Sequence, residues 1–123
     1  MIGCGFYAAI AEASKAQFKF KNGGTFALGA VAMKDGKIIA RGCNYKIYNE
    51  KFSQYGYETI HAEALCLSRC KQKADTLMVI RVTKNGTLSM SVPCSRCFNL
   101  CKLHGIKRIY YSDWSGNIQR MKI

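Results

Sequence analysis

The sequence predicts an α/β domain built on a mixed sheet with helices on its faces. Three stretches place apolar residues at helical spacing, five stretches are apolar and β-prone, and the two kinds follow one another in the order α-β-β-α-β-α-β-β. With 123 residues, 49% apolar and 21% charged, the chain suffices for one domain, residues 1–123, that buries roughly two-thirds of its unfolded surface.

The first twenty residues are rich in alanine and set Phe6, Ile10, Ala13 and Gln17 at helical spacing, ending before Asn22-Gly23-Gly24. Thr25 to Met33 is a β-prone strand, Asp35-Gly36 is a two-residue turn signal, and Lys37 to Gly42 returns antiparallel to it. Residues 44–60 mix Tyr, Lys and Asn without a sustained period, which predicts a surface loop. Thr59 is the expected N-cap of a second helix over HAEALCLSRCKQK, whose late basic residues suit the negative end of its dipole. Thr76 to Val82 reads as a buried strand closed by Asn85-Gly86, and Leu88 to Val92 as a short extended piece. Pro93 keeps Val92 out of the helical region and suits the opening of a third helix, Cys94 to His104, with Gly105 as its stop. Lys107 to Tyr111 and Ile118 to Ile123 are the fourth and fifth strands. Ser112 to Asn117 is too short for a parallel crossover, so these last two strands must run antiparallel if adjacent.

Nineteen Lys and Arg against seven Asp and Glu leave a net charge of +12, spread along the chain instead of gathered in one tail. Such an excess steers anions toward the surface and points to an anionic partner, without separating a free nucleotide from a polymer. A merely solvated basic surface is the plain alternative. No apolar run approaches the roughly 18 residues of a membrane span, and Met1-Ile2-Gly3-Cys4-Gly5 lacks the basic start of a secretory signal. The expectation is a cytoplasmic protein with no membrane partner. Seven cysteines, an odd number without such a signal, argue for reduced thiols, some of them on a metal.

The chemistry concentrates in His61-Ala62-Glu63 and Pro93-Cys94-Ser95-Arg96-Cys97, each at the start of a predicted helix. One imidazole and two thiolates suit Zn2+, and helix N-termini lower thiol pKa values. Three protein ligands leave a fourth position for water, as catalytic zinc sites do and closed structural ones do not. That water ionises near neutral pH. Glu63 need not ligate; from the first helical turn its carboxylate can take a proton and later protonate a leaving amine.

At these residues the sequence resembles the zinc-dependent cytidine and deoxycytidylate deaminase superfamily, with its H-x-E and P-C-x-x-C signature. Phe26-Ala27-Leu28-Gly29-Ala30 is similar to the family's first-strand pattern F-x-x-G-A, Gly42-Cys43-Asn44 to its second-strand G-x-N, and Gly105 to Ile109 to the entry of its fourth strand, so the likeness covers residues 26–111. The resemblance implies a cytidine deaminase-like three-layer sandwich with a five-stranded mixed sheet. It implies zinc held by His61, Cys94 and Cys97, with Glu63 as the proton shuttle. It also implies the Ala62 amide on the base edge, Asn44 on the sugar or base, and Phe26 packed against the base. The implied reaction turns cytosine into uracil and ammonia, in a small-molecule nucleoside or nucleotide substrate, and the implied assembly is a homo-oligomer.

Two features divide the family reading. Lys46 stands where free-cytidine deaminases usually place Glu, and a lysine suits a phosphate better than a sugar hydroxyl. The antiparallel last strand pair is instead typical of free-nucleoside and toxin-type members. Two other functions therefore stand beside the first: deamination of cytosine or adenine in single-stranded DNA or RNA, and an inactive zinc-stabilised nucleic-acid-binding module. Plainer roles compete at single residues. Phe26 suits core packing as well as base stacking, and Asn44 suits a turn. Tyr45, Tyr48, Phe52, Tyr55 and Tyr57 with Lys46 and Lys51 form either a stacking platform for single strands or the cover of an apolar edge or subunit interface. Trp114 reads as an exposed anchor, and His104 as a helix C-cap. Cys4, Cys43, Cys66, Cys70 and Cys101 read as core fillers. A structural Cys66-Cys70-Cys94-Cys97 zinc site is the alternative that uses neither His61 nor Glu63.

Overall fold

The structure is a computed structural model that describes residues 2–19, 27–48, 57–83 and 85–123, with residues 2, 17–19, 45–48 and 57–60 described for their backbone alone. Helix α1 (Ile2–Lys19) leads into the hairpin of β1 (Ala27–Lys34) and β2 (Lys37–Cys43). The turn between them puts Asp35 and Gly36 at φ 52° and 79°, as a primed two-residue hairpin turn requires. Then follow β3 (Tyr45–Tyr48), β4 (Tyr57–Ile60), α2 (Ala62–Ser68), β5 (Thr76–Val82), β6 (Leu88–Ser89), α3 (Ser95–Leu103), β7 (Arg108–Ser112) and β8 (Ile118–Lys122).

The main sheet runs β2-β1-β5-β7-β8, with the short β6 added to β5. It is mixed: β5 and β7 are parallel across the α3 crossover, and the other neighbours are antiparallel. Strand alternation then assigns the two faces. Val31, Met33, Met78, Ile80 and Val82 meet Ala8, Ala9 and Ala13 of α1 on one side. Ala30, Ala32, Leu77, Val79 and Ile109 meet Cys66 and Leu67 of α2 and Cys101 of α3 on the other. The result is the expected three-layer sandwich.

The last strand pair is antiparallel, as the length of its connection demanded. Asp113 shapes the turn: its Oδ1 accepts hydrogen bonds from the amides of Ser115 and Asn117, both at 2.9 Å. Trp114 at the tip is 72% exposed. His104 caps α3 as expected, with Gly105 following at φ 79°.

Four expectations are corrected. Residues 44–60 are not all loop, because Tyr45–Tyr48 pairs with Tyr57–Ile60 in a second, two-stranded sheet. The Tyr, Ile and Thr content of those segments favours strands, while interleaved Lys and Glu mask the period on which the sequence reading relied. Thr59 lies in β4, and the residue at the N-cap of α2 is His61. Helix α2 stops at Ser68, with Arg69 as its C-cap, so the basic run beyond it is not helical. Cys4, expected in the core, is exposed on α1. Among the described residues, no helix is long and apolar enough to cross a membrane.

Two glycines let the helices seat on the sheet. A Cβ at Gly29 would run into the carbonyl oxygen of Ala9 and come within 2.5 Å of the Ala13 amide nitrogen. A Cβ at Gly42 would lie 2.7 Å from the Cys66 amide nitrogen and 2.9 Å from the Ala62 carbonyl oxygen. Both obstacles are helix backbone, which cannot rotate aside. Gly29→Ala or Gly42→Ala is expected to lower unfolding free energy by about 3 kcal/mol. Gly3→Ala, at a helical position with nothing within 4 Å of the added carbon, is expected to raise it by up to about 1 kcal/mol. Urea unfolding of the three variants checks the contrast.

Candidate active site

Helices α2 and α3 lie on one sheet face and start close together, so their N-terminal side chains converge. His61 occupies the N-cap of α2 in extended conformation (φ −76°, ψ 145°), and its carbonyl accepts the Leu65 amide at 3.1 Å. Cys94 occupies the N-cap of α3 (φ −64°, ψ 166°), and its carbonyl accepts the Phe98 amide at 2.8 Å. Pro93 therefore stands just before the cap instead of at the first helical position. Neither cap side chain bonds its own helix, which leaves imidazole and thiol to face each other.

His61 Nδ1 lies 3.3 Å from Cys97 Sγ and 3.8 Å from Cys94 Sγ. The three donor atoms all fall within 4.8 Å of one another. Ideal tetrahedral zinc, with Zn–N near 2.0 Å and Zn–S near 2.3 Å, separates nitrogen from sulfur by about 3.5 Å, so this cradle fits the ion. Cys66 and Cys70 are not part of it: Cys66 is buried in the core between α2 and the sheet, with Cys70 packed against that core, which removes the four-cysteine alternative. His61 and Cys94 are exposed and Cys97 is buried, so the cradle opens toward solvent on one side.

Glu63 is 4% exposed in the first turn of α2. Burial pushes its carboxyl above the usual carboxylate range, against the lowering effects of its own backbone amide, the His61 charge and a hydrogen bond from Cys97. Burial, with the Glu63 carboxylate adding to it, also pushes the Cys97 thiol up. The Cys101 thiol one turn further on is pushed up to about 12 by burial and Glu63, as suits an inert core filler.

His61, Ala62, Glu63 and Cys94 share a cavity of about 370 Å³ with Leu28, Arg81, Met90, Ser91 and Val92. Its size lies in the range of small-ligand pockets. Asn44 is 5% exposed and closes one side of the sheet: its Oδ1 accepts the Leu28 amide at 2.8 Å, and its own amide donates to the Leu28 carbonyl at 3.2 Å. It thus extends the strand pairing beyond Gly29–Cys43 and holds Leu28 at the cavity wall. Phe26 and the Lys46 side chain lie outside the described residues, as do Phe52 and Tyr55.

The sequence reading missed the wall between β6 and α3. Ser91 Oγ donates to the Val79 carbonyl at 2.6 Å and accepts the Ser112 amide at 2.8 Å, while the Ser91 amide donates to the Ser112 carbonyl at 2.9 Å. Both serines are buried, so these bonds tie the run into Cys94 firmly to β5 and β7. Pro93, immediately before Cys94, marks that run, but nothing in a lone serine distinguishes such an anchor from a surface hydroxyl.

A three-donor zinc cradle beside a buried acid, on this sandwich, defines a metal-dependent hydrolase. Residues 6–113 match the family described as the cytidine and deoxycytidylate deaminase zinc-binding region, and the chain belongs to that family, whose members are zinc deaminases. Among solved structures it is similar to a dCMP deaminase from the cyanophage S-TIM5, at 21% identity and TM-score 0.54 over 85% of this chain and 82% of that one. It is similar to a cytidine deaminase from Burkholderia pseudomallei, at 19% identity and TM-score 0.58 over 94% and 91%. It is also similar to a structure from a study of A-to-I editing by transfer-RNA deaminases at the wobble position, at 23% identity and TM-score 0.58 over 90% and 75%. Among curated proteins, sequence comparison finds no match.

Because metal must displace protons from thiols, zinc affinity is expected to rise with pH, by about tenfold or more per unit between pH 6 and 8, with protons released on binding. Competition against a chromophoric chelator in buffers of differing ionisation heat measures both; a pH-independent affinity would contradict the thiolate cradle. Cys97→Ser is expected to lose stoichiometric zinc.

Proposed function

We infer that the chain hydrolyses the exocyclic amine of a cytosine base in a pyrimidine nucleoside or nucleotide, of the cytidine, deoxycytidine or dCMP type, giving uracil and ammonia. The observation that carries this reading is the buried Glu63 carboxyl sharing one cavity of about 370 Å³ with His61 and Cys94 of the three-donor cradle. His61, Cys94 and Cys97 hold the metal through Nδ1 and the two sulfurs. When bound, zinc supplies the Lewis acidity that brings a water to ionise near pH 7.

Glu63 carries the protons. Its raised pKa suits a group that must accept a proton, give it to the ring nitrogen beside C4, and later protonate the amine as the C4–N bond breaks. Oxygen from water replaces nitrogen at C4, and ammonia leaves. The Ala62 amide, at the first position of α2, belongs to the turn whose N–H groups lack helical acceptors, which suits a contact to the base edge. Leu28, Met90 and Val92 line the apolar wall and exclude water. Asn44, whose oxygen holds Leu28 at the cavity wall, contacts the sugar or base by the family's second-strand pattern. Phe26 packs on the base, by the family's first-strand pattern, and Lys46, where free-cytidine deaminases usually place Glu, takes a phosphate by virtue of its charge. The transfer-RNA deaminase likeness and the +12 charge favour the same chemistry on a single-stranded polymer as the second reading.

Glu63→Gln is expected to cut turnover by about 10²–10⁴-fold while zinc content and melting temperature stay near wild type. Undiminished turnover, or loss of the fold, overturns the shuttle role. Ammonia release from cytidine, deoxycytidine, dCMP and dCTP, set beside uracil formation in a single-stranded oligonucleotide, is expected to favour the monomers. Lys46→Glu is expected to raise KM for dCMP by about tenfold and leave deoxycytidine unchanged, as loss of one charge-assisted contact would. Equal effects on both substrates reject the phosphate assignment.

A further inference from the structure

At the end of the sheet remote from the metal cradle, Lys107, Arg108, Arg120 and Lys122 line a cavity of about 230 Å³, and no other described residue contributes to its wall. In the β7–β8 register Arg108 stands directly opposite Lys122, and Tyr110 opposite Arg120, so three cations and an aromatic ring share one sheet face. Like charges directly opposed across a strand pair work against the pairing, and a bound anion relieves them. Among the described side chains Asp75 pairs with this cluster, its Oδ1 lying 3.9 Å from Arg108 Nη2. That carboxylate is already engaged by the Asp35 amide at 3.0 Å and the Thr76 hydroxyl at 2.7 Å. Lys107, Arg120 and Lys122 are exposed, and β8 is the outermost strand.

Position separates this cluster from the catalytic cavity. Arg108 pairs with Thr76 at the start of β5, whereas Arg81 at the other end of the same strand lines the catalytic cavity. Five residues of strand place the two about 16 Å apart. Along β8, Arg120 and Lys122 are spaced by about 7 Å at the backbone, close to the separation of successive phosphates in an extended strand.

We propose that the Lys107-Arg108-Arg120-Lys122 cluster is a nucleic-acid-binding surface that grips the phosphodiester backbone outside the catalytic cavity. The assignment does not depend on the deaminase reading: the grip is electrostatic, reads no sequence, and serves whether the bases it holds are deaminated or not. The +12 charge draws the polyanion in, and the cluster gives it a place.

The test is fluorescence anisotropy with a labelled 20-nucleotide single strand, titrated between 50 and 200 mM salt, on the full chain. Arg120→Gln/Lys122→Gln is expected to weaken binding at least tenfold and to flatten the log–log salt slope by about 1.4, the share of two cations on a single strand. Lys37→Gln/Lys71→Gln removes the same charge elsewhere and is expected to weaken binding less than threefold. Equal losses in the two double variants would show diffuse net charge and overturn the proposal. So would displacement of the strand by millimolar inorganic phosphate at constant ionic strength, or tighter binding to phosphatidylserine vesicles than to the strand. Unchanged melting temperatures show that each variant is folded; should the double variant melt early, Lys107→Gln serves, with an expected slope change of about 0.7. Zinc content and turnover on monomers are expected to be unaffected throughout, so failure of this surface and failure of the catalytic reading are separable.

Discussion

Everything at the catalytic end depends on two helices beginning side by side over one face of the sheet. Helix α2 can sit close enough because Gly42 presents no side chain to its backbone, and α3 arrives on the same face as the crossover between the parallel strands β5 and β7. A parallel pair cannot be joined by a tight turn, so a helix-length connection is obligatory there, and its first residues emerge beside those of α2. His61 and Cys94 are both N-caps whose side chains turn away from their own helices, and Cys97 follows one turn later. The cradle is thus a product of topology before it is a product of chemistry.

Electrostatics then selects what the cradle holds. A buried carboxylate, a buried thiol and a second thiol around one imidazole are mutually unfavourable when ionised, which is why burial and Glu63 both push the Cys97 thiol up. A divalent cation reverses that balance: it makes the thiols thiolates and offsets the charge of Glu63 without needing Glu63 as a ligand. Burial pushes the Glu63 carboxyl up, and a cation held in the cradle works against that rise. Glu63 is thus buried beside the cradle, while the exposure of His61 and Cys94 leaves one side of it open to solvent.

The chemistry was more legible in the sequence than the frame around it. His61, Glu63, Cys94 and Cys97 stand in a spacing that few other functions need, and the strands carrying Gly29 and Gly42 read clearly because apolar runs and the Asp35-Gly36 turn reinforce each other. The β3–β4 hairpin did not, because alternating tyrosine and lysine look the same on a strand edge as in a loop. Asn44 reads in the sequence as a substrate contact or a turn residue; the structure shows it as a strand clip on Leu28. The Ser91–Ser112 anchor joins residues 21 apart in sequence, and no local pattern announces such a pair. The opposition of Arg108 and Lys122 likewise appears only once the register of β7 and β8 is known.

X-ray absorption at the zinc K edge of the purified protein tests the central claim most directly. The predicted first shell is one nitrogen near 2.0 Å, two sulfurs near 2.3 Å and one further light atom, at one zinc per chain. A shell of four sulfurs, or protein folded and active without stoichiometric zinc, would contradict it.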